Sequence, residues 1–83
     1  MRKTIIAYIL TCIEEIPNDF DLGAEIRLLE DKIFEVIEKN PDDLMNILFI
    51  YTQIFPNDQQ LGLEVRNLYN EIKYFFNEYT PST

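Results

Sequence analysis

The stretch PNDFDLGAEIRLLEDKI, residues 17–33, returns in similar form as PNDQQLGLEVRNLYNEI, residues 56–72. The two stretches align without a gap, with Pro17 on Pro56 and Ile33 on Ile72, and nine positions hold the same residue in both. Similarity at a fixed offset is the sequence signature of a structural repeat. We therefore expect one domain, residues 1–83, made of two equivalent units, residues 1–39 and 40–79, with a frayed tail at residues 80–83.

Each unit is predicted to be a pair of helices joined by a short turn. Proline disfavours helix in the residue before it, so Pro17 and Pro56 are expected to end the first helix of each unit. Asn40 is a good N-cap with Pro41 at the first helical position, and Asn57 or Asp58 can cap the last helix. The four predicted helices cover about residues 3–16, 20–39, 40–55 and 58–79.

The apolar residues of the longer helices recur at steps of three and four, which is typical of a helix with one buried face. In the second predicted helix these are Leu22, Ile26, Leu29, Ile33 and Val36/Ile37. In the fourth they are Leu61, Val65, Leu68, Ile72, Phe75, Phe76 and Tyr79. No stretch of several residues alternates apolar and polar side chains as a β-strand would, so no sheet is expected. The fold class is therefore all-α, a compact four-helix bundle built from two αα-hairpin repeats of equal length.

The first and third predicted helices are apolar on nearly every side. In the third, Met45, Phe49 and Ile50 lie off the main apolar face. A helix that is apolar all round is central in its domain or buried against a second chain. Because a small bundle has little room for two central helices, a homodimer through the first or third helix is one expectation.

The charge balance excludes several classes of partner. Seven Lys and Arg stand against fifteen Asp and Glu, which gives a formal net charge of −8. Nucleic-acid binding needs a basic surface that displaces counterions from phosphates, so neither a nucleic acid nor an anionic membrane is an expected partner. No apolar run approaches the length of about 20 residues that a membrane span needs.

The single cysteine, Cys12, points to a reducing cytoplasm, because small secreted domains carry paired cysteines. Arg2-Lys3 followed by the apolar stretch 5–10 imitates a secretory signal. The apolar stretch is short, however, and Glu14-Glu15 follow it without a cleavage site. We therefore expect a cytoplasmic protein.

The sequence lacks the usual motifs of catalysis and cofactor binding. The chain has no His to activate Cys12 or to join a transition-metal site. It has no glycine-rich phosphate loop and no serine nucleophile elbow. Asp19-Phe20-Asp21 with Gly23 lacks the ligands of a calcium loop. We expect no enzyme, no metal and no cofactor; an enzyme built on a pair of acids is the remote alternative.

The negative charge is concentrated between Glu14 and Asp43, where eleven acidic residues face three basic ones. Plotted on a helix, three of these acids form a row on the outer side of the second predicted helix, flanked by an apolar residue on either side. Such a face suits protein recognition, with apolar anchors and charges that attract a basic partner. The predicted partner-binding residues are Leu28, Asp31, Phe34, Glu35, Glu38 and Asp42.

Two alternatives remain for this acidic face. It can be merely solvated, with Phe34 packed sideways on a neighbouring helix. The outer face of the fourth predicted helix can instead be the binding surface, although it is nearly neutral. Its residues are Leu63, Arg66, Asn70, Lys73, Tyr74 and Asn77.

The string Asp58-x-x-Leu61-x-x-Glu64-Val65-Arg66-x-Leu68, followed by Glu71-Ile72-Lys73, resembles the closing helix of immunity proteins of the colicin D type. In size, acidity and helical content the chain is also similar to immunity proteins of contact-dependent growth inhibition systems. The resemblance implies a cytosolic inhibitor that occupies the basic active cleft of a nuclease-type toxin with carboxylates in place of phosphates. The alternative function is a homodimeric helical structural or adaptor protein encoded by a phage or mobile element.

Overall fold

The computed structural model describes the backbone of residues 2–79 and the side chains of residues 2–74. This part of the chain contains helices and no strand, so the all-α prediction is confirmed. The helices are α1 (Arg2–Glu15), α2 (Asp19–Leu28), α3 (Glu30–Lys39), α4 (Asp43–Ile54), α5 (Asp58–Asn67) and α6 (Tyr69–Tyr79). Some predictions fall outside the described part of the chain. They concern the tail 80–83 and the side chains of Phe75, Phe76, Asn77 and Tyr79.

Two of the four predicted helices are each divided in two, which makes six helices within residues 2–79. The divisions fall at Leu29 and Leu68, whose backbone angles are φ −90°, ψ −3° and φ −85°, ψ 0°. Each amide there donates to a carbonyl three residues back, at 3.0 Å, instead of four residues back. Such a tight turn interrupts an α-helix. Neither position is Gly or Pro, so the residue types there do not predict an interruption of the helix.

The predicted cap of the helix after residue 40 was wrong. Asn40 ends α3, since its amide donates to the Val36 carbonyl at 3.0 Å. Asp42 caps α4 instead, and its carboxylate accepts from the Met45 amide at 2.9 Å. Pro41 restricts the preceding Asn40 to an extended conformation, with φ −146° and ψ 116°, so that α3 ends there, and α4 begins only at Asp43. The predicted cap Asn57 is confirmed by its bonds to the amides of residues 59 and 60.

The predicted apolar stripes form the core. The stripe residues that are completely buried are Leu22, Ile26, Ile33, Leu61, Val65 and Ile72. Ile6 and Ile9 of α1 and Met45 and Leu48 of α4 are buried against them with no exposed surface. Each such side chain contributes about 1.5–3 kcal/mol through removal from water. Leu29 and Ile37 are half-buried beside this core.

The helices α2 and α5 cross at Gly23 and Gly62. A Cβ on Gly23 would lie 1.8 Å from the backbone oxygen of Asp58, and a Cβ on Gly62 would lie 1.8 Å from that of Asp19. Only glycine permits backbones to approach this closely. Around this crossing, α3 packs on α4 and α1 packs on α6.

Two arginines connect the parts of the chain before and after residue 40. Nε of Arg27 donates to Asp58 at 2.7 Å, and Nη1 and Nη2 donate to the carbonyls of residues 52 and 55 at 3.0 and 2.7 Å. Nε of Arg66 donates to Asp19 at 2.8 Å, and Nη1 and Nη2 donate to the carbonyls of residues 13 and 16 at 3.0 and 2.8 Å. Donors and acceptors of the two sets occupy equivalent positions of the two sequence repeats. The prediction that Arg66 lies on an outer face was wrong.

The apolar helices α1 and α4 are only partly covered by the rest of the described chain. Tyr8 on α1 is 45% exposed, and Ile50 and Ile54 on α4 are 50% and 57% exposed. Met45, predicted to lie off the main apolar face of its helix, is completely buried. None of the described helices has the length and apolar character needed to cross a membrane.

Candidate protein-binding face

Three acidic side chains of α3 form a row along its solvent-exposed side. The row begins beside Leu28, the last residue of α2, and continues through Asp31, Glu35 and Glu38. Steps of three and four residues place side chains one above the other on a helix surface. All four are exposed, while Ile33 on the opposite side of α3 is buried. These four residues and Phe34 are called the α3 face below.

None of the three carboxylates of the α3 face forms an ion pair with a described side chain. The ion pairs in this part of the chain join Arg2 to Asp42, Arg27 to Asp58 and Arg66 to Asp19. Asp31 and Glu35 are a like-charge pair four residues apart, which destabilises a helix by about 0.2–0.5 kcal/mol. This repulsion is offset in part, because Asp31 lies in the first turn of α3 and Glu35 lies four residues before Lys39, with which it lines a pocket.

The two apolar residues of the α3 face differ in their surroundings. Leu28 is 76% exposed, which leaves most of its side chain in water. Phe34 packs against Phe49 of α4, with ring centroids 5.2 Å apart and an interplanar angle of 34°. It nevertheless keeps 43% of its surface exposed. Leu28 is thus a free apolar anchor, and Phe34 is an anchor held in place by its neighbour.

Asp42 was predicted to belong with these residues, and the structure places it at the end of α3 with contacts of its own. It lies in the connection between α3 and α4, where its carboxylate caps α4. The same carboxylate pairs with Arg2 of α1, and only 14% of its side chain is exposed. Asp42 and Glu35 line one pocket of about 260 Å³, so Asp42 is close to the α3 face but is mostly covered.

A groove of about 380 Å³ lies beside Leu28, between α1 and the turn that joins α2 to α3. Its lining includes Ile5, Tyr8, Glu25 and Lys32. The Tyr8 hydroxyl donates to the Glu25 carboxylate at 2.8 Å. This bond, with the nearby negative charges, raises the pKa of Tyr8 to about 12. Sequence reasoning missed both residues, because no periodicity or motif marks a bond between different helices.

The Cys12 thiol lies one helical turn from Tyr8 and is buried. Burial is the main cause that raises the pKa of the thiol above its usual value. A thiol with a raised pKa is seldom ionised and reacts slowly. Cys12 therefore acts as a small packing residue of α1.

The second part of the chain provides an internal comparison for the α3 face. In the alignment of the two repeats, α6 occupies the positions that α3 occupies in the first. The residues equivalent to Leu28, Asp31, Phe34, Glu35 and Glu38 are Asn67, Asn70, Lys73, Tyr74 and Asn77. By contrast, the contact residues Asp19, Gly23 and Arg27 recur unchanged. The helical framework therefore does not require an acidic face, and the α3 face is specific to the first part.

The described residues contain no cluster of metal-ligating side chains. No three of the described His, Cys, Asp and Glu side chains come close enough together to hold a metal ion. Asp19, part of the string that faintly resembles a calcium loop, accepts from Arg66.

Fold and surface together define an all-α protein with an exposed acidic face. No protein family matches this chain, and neither a curated protein nor a solved structure matches it. The likeness to immunity proteins therefore rests on the string from Asp58 to Lys73 and on size, acidity and helical content. That string spans α5, the turn at Leu68 and the start of α6, rather than one continuous helix.

Proposed function

We propose that this chain is a non-enzymatic protein-binding module whose α3 face binds a basic protein surface. The observation that carries the proposal is the exposed row Asp31, Glu35 and Glu38, which forms no ion pair with a described side chain and which α6 does not repeat. Clustered charges accelerate association with an oppositely charged partner and select against wrong ones. Leu28 supplies the apolar contact that such interfaces place near their centre.

The partner we propose is a basic nuclease-type toxin domain, and the chain is its cytosolic immunity protein. A nuclease cleft carries positive charge that binds phosphates, and a row of carboxylates can take their place. The helix spacing of about 5–6 Å between neighbouring side chains suits a series of such contacts. The resemblance of residues 58–73 to the closing helix of immunity proteins agrees with this class of partner.

The proposed architecture is a pair of equivalent helical hairpins, 1–39 and 40–79, arranged as a four-helix bundle in which the second and fourth helices are interrupted. The bonds of Arg27 and Arg66 support it, because every donor and acceptor of one set has its equivalent at the aligned position in the other. The bond between Gln53 and Glu30 likewise corresponds to the bond between Tyr69 and Glu14.

The test is affinity capture from the source cell with three immobilised forms of the chain. The first is the wild type, the second carries Asp31→Lys, Glu35→Lys and Glu38→Lys, and the third carries Asn70→Lys on the equivalent face of α6. A cognate partner is expected on the wild type and on the Asn70→Lys control but not on the triple variant. The same proteins on all three forms would remove the α3 face from the proposal.

The captured partner then allows a quantitative measurement. Reversing three interfacial charges is expected to weaken binding about 100-fold, or about 2.7 kcal/mol, and the loss should shrink as salt is added. The nuclease activity of the partner should fall when wild-type chain is added and recover with the triple variant. A partner without nuclease activity would contradict the toxin assignment while leaving the binding face in place.

A second candidate function is a homodimeric adaptor joined through α4. Ile50 and Ile54 favour it, because they are half exposed, four residues apart, and lie on one side of the helix. Sedimentation velocity is the measurement: a dimer that becomes a monomer in Ile50→Asp/Ile54→Asp would support the adaptor. A wild-type monomer at high concentration would exclude it.

A further inference from the structure

The parts of the chain before and after residue 40 bury their apolar faces mainly against each other. The closest packing joins α2 to α5, and α3 packs on α4 and α1 on α6. Within the first part, α1 makes only minor contacts with α2 and α3. Each part therefore needs the surface of the other to complete the core.

The polar contacts between the two parts point the same way. Arg27, Glu14 and Glu30 of the first part bond to residues beyond position 42. None of these bonds involves the connecting residues, so nothing in their geometry requires that both parts belong to one chain. Arg2 of the first part pairs with Asp42. Because Asp42 caps α4, this pair also joins the first part to the second.

The connection between the parts is short and extended. Only Asn40, Pro41 and Asp42 separate α3 from α4. Asn40 has φ −146° and ψ 116°, and Asp42 has φ −148° and ψ 120°. Apart from the capping bonds at its two ends, the connection is held by the pair between Arg2 and Asp42 among the described contacts. A change of backbone angle at Pro41 or its neighbours is therefore enough to direct the second part of an unfolded chain away from the first when the chain refolds.

We propose that two copies of this chain exchange their second parts through the connection 40–42. In the resulting dimer α2 of one copy crosses α5 of the other, and every contact between the parts forms between chains instead of within one. Because the contacts are the same, the balance between the two forms depends on chain concentration relative to the effective concentration set by the short connection, about 1 mM. The monomer prevails in dilute solution, and the exchanged dimer forms when the chain folds near that concentration.

The exchanged dimer would carry two α3 faces, one from each copy. This inference does not rest on what the α3 face binds. It also differs from a dimer through Ile50 and Ile54, which folded monomers can form directly on mixing. Exchange requires the two parts to separate first, so its rate is limited by unfolding.

The experiment uses two full-length chains that each carry one cysteine in a Cys12→Ala background. One carries Glu30→Cys and the other Gln53→Cys, because these side chains are hydrogen-bonded between α3 and α4 at 2.6 Å. The two chains are unfolded together in denaturant, refolded at about 1 mM, and treated with a short bismaleimide. An exchanged heterodimer is expected to give a covalent product of twice the chain mass.

The matched control folds the two chains separately and mixes them before the same treatment. Exchange predicts that the covalent heterodimer is lost in this control, whereas a surface dimer would give equal yields in both. The pair Glu14→Cys and Tyr69→Cys repeats the test between α1 and α6, in case one substitution prevents folding. Equal yields, or no heterodimer with either pair after joint refolding, would overturn the proposal.

Discussion

Gly23 and Gly62 determine how closely α2 and α5 approach each other. In an exposed helix position, replacing Gly by Ala is expected to stabilise by about 1 kcal/mol, because Gly has the greater freedom to lose on folding. At Gly23 the added methyl group would meet the backbone of Asp58 at 1.8 Å, where no side chain can move aside. Steric conflict therefore outweighs helix propensity at this residue.

We expect Gly23→Ala to lower the free energy of unfolding by about 1–3 kcal/mol, as forced overpacking does. The measurement is equilibrium unfolding in urea, followed by far-ultraviolet circular dichroism. Ala7→Gly on the exposed side of α1 is the control for helix propensity, with an expected loss of about 1 kcal/mol. A Gly23→Ala chain as stable as the wild type would show that α2 and α5 do not approach as described.

Tyr8 leads to a prediction about alkaline pH. Its hydroxyl donates to Glu25, which raises its pKa from 10.0 to about 12 in the folded chain. A raised pKa contributes stability that is complete below pH 10 and lost as the pH rises from 10 to about 12. The ring resonances of Tyr8, followed by NMR, should titrate near 12, and Glu25→Gln should lower that pKa toward 10. A Tyr8 pKa unchanged by Glu25→Gln would exclude the bond as its cause.

At the scale of the helices, the features that depend on neighbouring residues in the sequence could be predicted, and those that depend on tertiary contacts could not. The buried stripe of α2 and the cap Asn57 could be predicted, because periodicity and capping depend on neighbours in sequence. The turn at Leu29 could not, because leucine is a good helix former and neither Gly nor Pro marks the interruption. The Arg27 contacts could not be predicted either, since they join residues far apart in the sequence.

The α3 face shows the same division. Helical periodicity placed Asp31, Glu35 and Glu38 in one row, and they do lie exposed on one side of α3. Periodicity along the helix could not predict the contacts of Asp42, because it lies beyond α3, where it pairs with Arg2 and lines a pocket with Glu35. Phe34 was expected to be either an exposed anchor or packed sideways on a neighbouring helix. It packs on Phe49 of α4 and is also 43% exposed.

The last acid in the row of α3, Glu38, should lower the stability of the chain. We expect Glu38→Gln to raise the free energy of unfolding by about 0.3–1 kcal/mol at low salt, since Glu38 lies three residues from Glu35 and in the last turn of α3, where the helix dipole disfavours a negative charge. Urea unfolding at low salt and at about 1 M salt is the measurement, because the gain should vanish where charges are screened. A gain that persists at high salt would assign the effect to helix propensity instead of charge.

At the scale of the whole molecule, the parts of the chain before and after residue 40 share one core. Leu22 and Ile26 of α2 and Leu61 and Val65 of α5 are completely buried, and α2 and α5 form the closest packing between helices. Neither part can expose this surface without losing the burial that stabilises it. The chain is therefore expected to unfold in one cooperative step, as small single domains do.

The two arginines that join the parts of the chain before and after residue 40 test this cooperativity. Arg27→Met removes the bonds to Asp58 and to two carbonyls at the end of α4, and Arg66→Met removes the equivalent bonds to Asp19 and the end of α1. Each is expected to cost about 1–3 kcal/mol, because these bonds are charge-assisted and partly buried. Since both sets join the same two parts, both variants should lower one common unfolding transition by similar amounts.

Thermal unfolding followed by circular dichroism and by tyrosine fluorescence measures this outcome. Coincident curves from the two signals are expected for the wild type and for both arginine variants. Lys32→Met, an exposed residue of α3, is the control for loss of a positive charge and should change stability by less than about 0.5 kcal/mol. If Arg27→Met instead produced two separate transitions, one part would hold its structure alone. The shared core would then not be what makes this chain a single folding unit.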